Sequence, residues 1–254
     1  MRWLVGTSGY SYKAWKGSFY PEDIAADRML SYYASKLPAV EINNTFYRMP
    51  RVEVLDVWRQ AVPDDFRFVI KAPRQITHQA RLANCEGPVD YLASRLETLG
   101  DKLGCVLFQL PPYVRKNLER LEAFLDLWPK AFPAAVEFRH ASWFDIETNE
   151  SLRGHGTCLC VSEDGKLELP DHLTTTDWAY LRLRKPGYDN AALKSWAERV
   201  AATGAKQGFA FFKHEDSGAG PTLARRFLDL TTTGAQHGPQ AAIRHGPSPA
   251  QDIA

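Results

Sequence analysis

The chain has 254 residues, of which 44% are hydrophobic and 24% charged, and its formal net charge is +1. That balance is typical of a soluble globular protein. Near-neutrality excludes a general nucleic-acid coating protein, so any basic site must be local. No run approaches the ~20 apolar residues of a membrane span. The opening MRWLVGTSGY lacks the apolar stretch of a signal peptide, so a cytoplasmic protein without a membrane partner is expected.

Eight short apolar runs punctuate the chain, at residues 3–6, 39–42, 66–71, 105–109, 134–138, 156–160, 179–183 and 208–212. Each is nearly continuous in apolar character, as parallel strands covered on both faces should be. Helical spacing of apolar residues predicts helices over 27–37, 52–61, 89–102, 117–128, 191–203 and 222–230. The sixth crossover, 161–177, shows no helix, and Asp164-Gly165 suggests a turn or small hairpin. Eight strands alternating with helices imply a closed barrel or a doubly wound sheet. The count of eight, and the absence of Gly-x-Gly-x-x-Gly after the first strand, favour a single (β/α)8 TIM-type barrel of the α/β class with an irregular sixth crossover. The expected barrel domain is 1–230, followed by a Gly/Pro/Gln-rich tail over 231–254. Cys105, Cys158 and Cys160 lie in strand-like runs and read, with Cys85, as reduced thiols rather than zinc ligands.

Strand parity locates the polar groups, because alternate side chains face opposite ways. Glu41 and Asn43 share one face; so do Val69 and Lys71, Leu107 and Gln109, Glu137 and Arg139, and Tyr180, Arg182 and Arg184. The helix-covered face must be apolar, so these groups point to the barrel axis. They also sit late in their strands, at the end where barrels of this type carry their sites. The loops add Ser8, Tyr10, Trp15, Tyr47, Arg74, His140, Trp143 and Lys213. Cations outnumber carboxylates around this mouth, which predicts a small anionic ligand such as a phosphate ester or carboxylate. Gly218 and Gly220, before a helix expected at Thr222, could add backbone N–H donors.

The corresponding chemistry assigns Glu41 and Glu137 to acid and base roles, with Lys71 holding an oxyanion. Arg182 and Arg184 clamp the anion, Asn43 and Gln109 orient hydroxyls, and Trp15, Tyr47 and Trp143 form walls. Ser8, Tyr10, Arg74, Arg139, His140 and Lys213 complete the binding set. The structural alternative is an ion-pair plug in which Lys71 and Arg182 neutralise Glu41 and Glu137. No cofactor is required. A divalent-metal variant, isomerase-like or nuclease-like, would use Glu41, Glu137, His140 and His214, with the basic groups competing for the same carboxylates. A non-catalytic barrel that binds a ligand or nucleic acid is the remaining alternative, nucleic acid being the less favoured partner.

Five blocks in order, VGTSGYSYKAWKGSFYP, AVEINNTFYRMP, FVIKAPRQITH, FQLPP and AVEFRHASWF, carry a family resemblance. The chain resembles the domain-of-unknown-function 72 (YecE-like) family from its first strand to at least Phe144, with weaker likeness in AYLRLRKPGYD. The resemblance implies a TIM-type barrel and supplies no reaction. Its blocks fall on Gly6, Ser8, Gly9, Tyr10, Trp15, Glu41, Asn43, Phe46, Tyr47, Lys71, Pro73, Gln109, Pro111, Glu137, Arg139 and Trp143. The last strand, FFKHED, departs from the Asn-rich family pattern, so a role for Lys213 or His214 is the least transferable.

Overall fold

The computed structural model describes residues 1–185, 187–213 and 218–233. Eight parallel strands close into a barrel in chain order. They are β1 (Arg2–Ser8), β2 (Ala39–Ile42), β3 (Arg67–Lys71), β4 (Leu103–Gln109), β5 (Ala134–Glu137), β6 (Cys158–Glu163), β7 (Trp178–Leu183) and β8 (Gln207–Phe212). Closure is made by β8 against β1, with Trp3 opposite Gly208 and Thr7 opposite Phe212. The helices are α1 (Met29–Ala34), α2 (Val52–Gln60), α3 (Glu86–Leu96), α4 (Leu118–Leu127), α5 (Ile146–Gly154), α6 (Asn190–Ala201) and α7 (Ala219–Thr233). None is long and apolar enough to cross a membrane among the described residues.

Two cores follow from strand parity. Outward residues such as Val40, Ile70, Phe108, Val136 and Leu181 pack under the helices in one large cluster. Inward residues fill the barrel, where Tyr180, Phe209 and Phe211 are offset by the small Ala39, Ala135, Cys105, Cys158 and Cys160. Alternating large and small side chains let eight strands share a narrow axis. All four cysteines are free and buried. Burial pushes the Cys85 thiol up to about 11 and that of Cys158 up to about 12, so they serve as small core residues. Gly6 marks the closest backbone approach: a Cβ there would stand 1.8 Å from the Ala39 carbonyl oxygen. The Tyr33 hydroxyl enters the same gap from α1, accepting from the Thr7 N–H at 2.8 Å and donating to the Ala39 carbonyl at 3.0 Å.

The sixth crossover is non-helical from Asp164 to Asp177, as its pattern predicts. No hairpin forms there; Asp164 instead accepts from the Lys166 N–H at 3.1 Å, and Gly165 takes a φ of 75°. Helix α5 is an element that apolar periodicity does not signal. Its sequence, IETNESLRG, is short and polar, and Asp145 starts it by accepting the Thr148 N–H at 2.9 Å. Helix α7 begins three residues before the expected Thr222 and runs to Thr233. His214 and the expected tail beyond Thr233 lie outside the described residues.

Candidate functional site

The mouth is built around Arg182, which is 0% exposed although it carries a full positive charge. Strand β7 directs it across the barrel. One terminal nitrogen, Nη2, donates to Glu41 Oε1 at 2.7 Å from β2, and Nη1 donates to Glu137 Oε2 from β5. Nη1 also reaches Gln109 Oε1 at 3.2 Å and Nη2 reaches Asn43 Oδ1 at 3.4 Å. Glu41 is saturated: Oε1 also accepts from Ser8 Oγ at 2.7 Å and Asn43 Nδ2 at 3.0 Å, and Oε2 accepts from the Tyr180 hydroxyl at 2.6 Å. Glu137 Oε1 accepts from Arg139 Nε at 2.7 Å. Strand parity therefore brings Ser8, Glu41, Asn43, Gln109, Glu137, Arg139 and Arg182 into one network.

Burial pushes both carboxyls up, but the attraction of Arg182 outweighs it, helped by Arg184 at Glu41 and by Arg139 at Glu137. Both settle at about 2. Acid and base roles require the two to diverge; here both are ionised at neutral pH and both are occupied by the same guanidinium. The arrangement has the form of the ion-pair plug, with Arg182 as its cation.

Lys71 has a different environment. Its ammonium lies over the Phe46 ring at 4.3 Å. Among the described residues it forms no hydrogen bond or ion pair. Burial, and then the charge of Arg182, push it down to about 8, against the opposing pull of Glu41 and Glu137. Arg184 is likewise lowered, first by burial and then by Arg182. Its Nε is buried without a hydrogen bond, as is the hydroxyl of Ser162 on β6. Ser162, Glu137, Arg139 and Asp164 line a cavity of about 220 Å³ beside the network. Arg139 Nη1 stands 3.5 Å from Asp164 across it.

Other expected residues take different places. Trp15 is 1% exposed and packs on Tyr12, Phe19 and Tyr20, while Tyr10 lies 6.2 Å from Tyr33 in the same aromatic cluster. Trp143 is 2% exposed, stacks on Phe138 at 4.5 Å and donates to the Val114 carbonyl at 2.9 Å. Neither tryptophan offers a wall to a ligand. His140 Nδ1 accepts from the Ser142 N–H at 3.1 Å and so caps the turn Ala141–Trp143. Lys213 lies at the exposed end of β8. Tyr47 and Arg74 line a separate groove outside the central network. Gly220 falls inside α7.

Among the described residues the donor set does not suit a metal; His214 lies outside them. Arg182 holds both glutamates, His140 is a cap, and no three His, Cys, Asp or Glu side chains converge among the described residues. One neighbour escaped the sequence. His78 lies on a π-helical turn, Gln75–Gln79, with its ring 4.8 Å from that of Phe46, edge to face. Burial and then Lys71 and Arg139 lower its pKa. Just beyond, Arg81, Leu82 and Asn84 have φ of 53°, 69° and 49°, left-handed values unusual for residues other than glycine. Insertions of this kind and local strain gather at functional sites, but nothing in the spacing of QITHQ announces them.

Relatives agree with this architecture. The UPF0759 protein YecE of Escherichia coli K12 is 39% identical over 128 residues, 50% of this chain and 47% of that protein. The UPF0759 protein YunF of Bacillus subtilis is 29% identical over 180 residues, 63% of this chain and 62% of its own length. The chain thus matches about half to three-fifths of these curated relatives. The crystal structure of a DUF72 family protein from Thermotoga maritima superposes with a TM-score of 0.78 at 28% identity, covering 92% of this chain and 100% of that one. One from Enterococcus faecalis, at 20% identity and a TM-score of 0.72, shares the fold, with 91% and 94% covered. The family described as protein of unknown function DUF72 matches residues 4–247, and this chain belongs to it.

Proposed function

We propose that the barrel mouth is the active site of an enzyme acting on a small anionic substrate, phosphorylated or sugar-like, with Lys71 as its reactive group. The observation that carries this is a surplus of cation. Arg182 is neutralised by Glu41 and Glu137, whereas Lys71 and Arg184 have no carboxylate partner among the described residues. An anion reaching them would relieve a repulsion already present.

Roles follow from environment. Arg184 and Arg139, with the Ser162 hydroxyl, hold the anionic group. Glu41 and Glu137 position Arg182 and set the local field. Lys71, pushed down to about 8, is mostly protonated at pH 7 but carries a far larger neutral fraction than an ordinary lysine, so it can accept a proton or attack an electrophile as pH approaches 8. His78, lowered from its ordinary value, stays neutral there and is available for proton transfer.

The test is calorimetric titration with inorganic phosphate, followed by turnover assays over sugar phosphates and small carboxylic acids. Arg184→Met is expected to weaken anion binding at least ten-fold, and Lys71→Met to abolish turnover while the anion still binds. Phosphate binding of equal strength in parent and Arg184→Met proteins sinks the anion site. Turnover persisting in Lys71→Met removes its catalytic role. Binding without turnover of any substrate would favour a ligand-binding barrel.

A further inference from the structure

Beside the mouth, a groove of about 960 Å³ runs between the segment after β2, the turn after β3 and helix α3. Arg48, Arg51, Arg74 and Arg95 line it, and no aspartate or glutamate does. None of the four is in an ion pair among the described residues. On a chain of net charge +1, this is marked segregation of charge.

The groove is also aromatic. Tyr47 is 74% exposed and Tyr91 48% exposed, two of the few large apolar side chains left open to solvent. Tyr47 is braced edge-on by Phe46 at 5.0 Å, and the Arg95 guanidinium lies over the Tyr91 ring at 5.0 Å. The π-turn and the strained residues behind it present Gln75 and Gln79 along the same wall. Exposed rings with unpaired guanidinium groups recognise a ligand that joins a flat ring to a phosphate. A second copy of this chain would set the same four arginines against one another. An acidic peptide would leave both rings unused.

We infer that this groove binds nucleotide units, with a base stacked on Tyr47, the more exposed ring, and phosphates held by Arg48, Arg51, Arg74 and Arg95. The units could come from a free nucleotide or from a single strand, and the chemistry of the groove is the same for both. Phe46, which lines this groove, also carries the Lys71 ammonium on its ring, so the groove adjoins Lys71 while Arg184 lies across the mouth.

The experiment is fluorescence anisotropy with a labelled oligothymidylate, with adenosine diphosphate, inorganic phosphate and polyglutamate as competitors, repeated over a salt series. Tyr47→Ala is expected to weaken strand binding by on the order of ten-fold. Arg51→Met or Arg74→Met, both exposed positions, should each reduce the slope of log affinity against log salt by about 0.7. Displacement by adenosine diphosphate, sensitive to Tyr47→Ala, identifies a free nucleotide as the source; binding of the strand alone identifies nucleic acid. Arg184→Met should leave groove binding intact even where it abolishes phosphate binding at the mouth. The inference is overturned by no binding of strand or nucleotide, by polyglutamate competing as well as the strand, or by Tyr47→Ala leaving affinity unchanged.

Discussion

Two populations of cation stand a few residues apart at one end of this barrel. Arg182 is sealed at 0% exposure and bonded to two ionised carboxylates. Lys71, at the end of β3, and Arg184, just after β7 on the opposite side of the same rim, have no such partner among the described residues. The contrast shows that burial alone does not mark a functional charge. A charge whose partners are built in belongs to the scaffold, and its removal is read as instability. A charge left without partners costs the scaffold stability, and its retention is read as function.

The largest expected effect comes from erasing the paired cation. Arg182→Met leaves Glu41 buried without a cationic partner and Glu137 with Arg139 alone, and should cost roughly 3–5 kcal/mol in urea unfolding. Replacing all three, with Glu41→Gln and Glu137→Gln added, should recover much of that loss; no recovery would mean that packing, not charge, dominates. Acid titration probes the same pair. Both carboxyls lie at about 2 when folded, below their ordinary value of 4.5. Their contribution is therefore complete above the unfolded value and is lost as pH falls through 4.5 toward 2, which thermal melts across that window would record. A melting temperature flat over the window would contradict the pairing.

An intermediate case sharpens the scale. Glu163 pairs with a half-exposed Lys185 at 2.6 Å and accepts from Trp196 Nε1 at 2.9 Å. Glu163→Gln should cost about 1 kcal/mol, between the sealed and exposed extremes. The smallest effect is predicted with the opposite sign. Lys71→Met should stabilise the fold by on the order of 1 kcal/mol, because it removes a partly desolvated charge. That gain should be full below about 8, the folded value, and vanish as pH rises through the ordinary 10.5. Reductive methylation followed by mass spectrometry gives a direct check: Lys71 should react with a midpoint near 8, well before ordinary lysines.

The strands and the inward parity were legible because both rest on short-range rules. Four of the interior charged groups, Glu41, Lys71, Glu137 and Arg182, could be placed from alternation alone. What alternation cannot reveal is who pairs with whom. It left Lys71 and Arg182 as equivalent neutralisers, and only the closed barrel shows that Arg182 reaches both carboxylates. Aromatic content misled at Trp15 and Trp143, since a ring in a loop sequence gives no sign of whether it turns inward to pack. Helix α5 was hidden because a cap at Asp145, rather than an apolar stripe, defines it. The arginine groove was hidden for another reason: Arg48, Arg51, Arg74 and Arg95 come from three separate segments, and only tertiary structure gathers them.

The position of Arg182 also bears on how the chain acquires its fold. Its bonds reach 141 residues back to Glu41, 73 to Gln109 and 45 to Glu137. During synthesis, two carboxylates destined for the barrel axis emerge long before the group that neutralises them. A nascent chain ending before β7 would have to bury Glu41 without its cation and Glu137 with Arg139 alone, so it should hold its first six strands open and hydrated. Arrival of one guanidinium then makes closure favourable, and the barrel's last steps of assembly are set by an electrostatic latch near its C-terminal quarter.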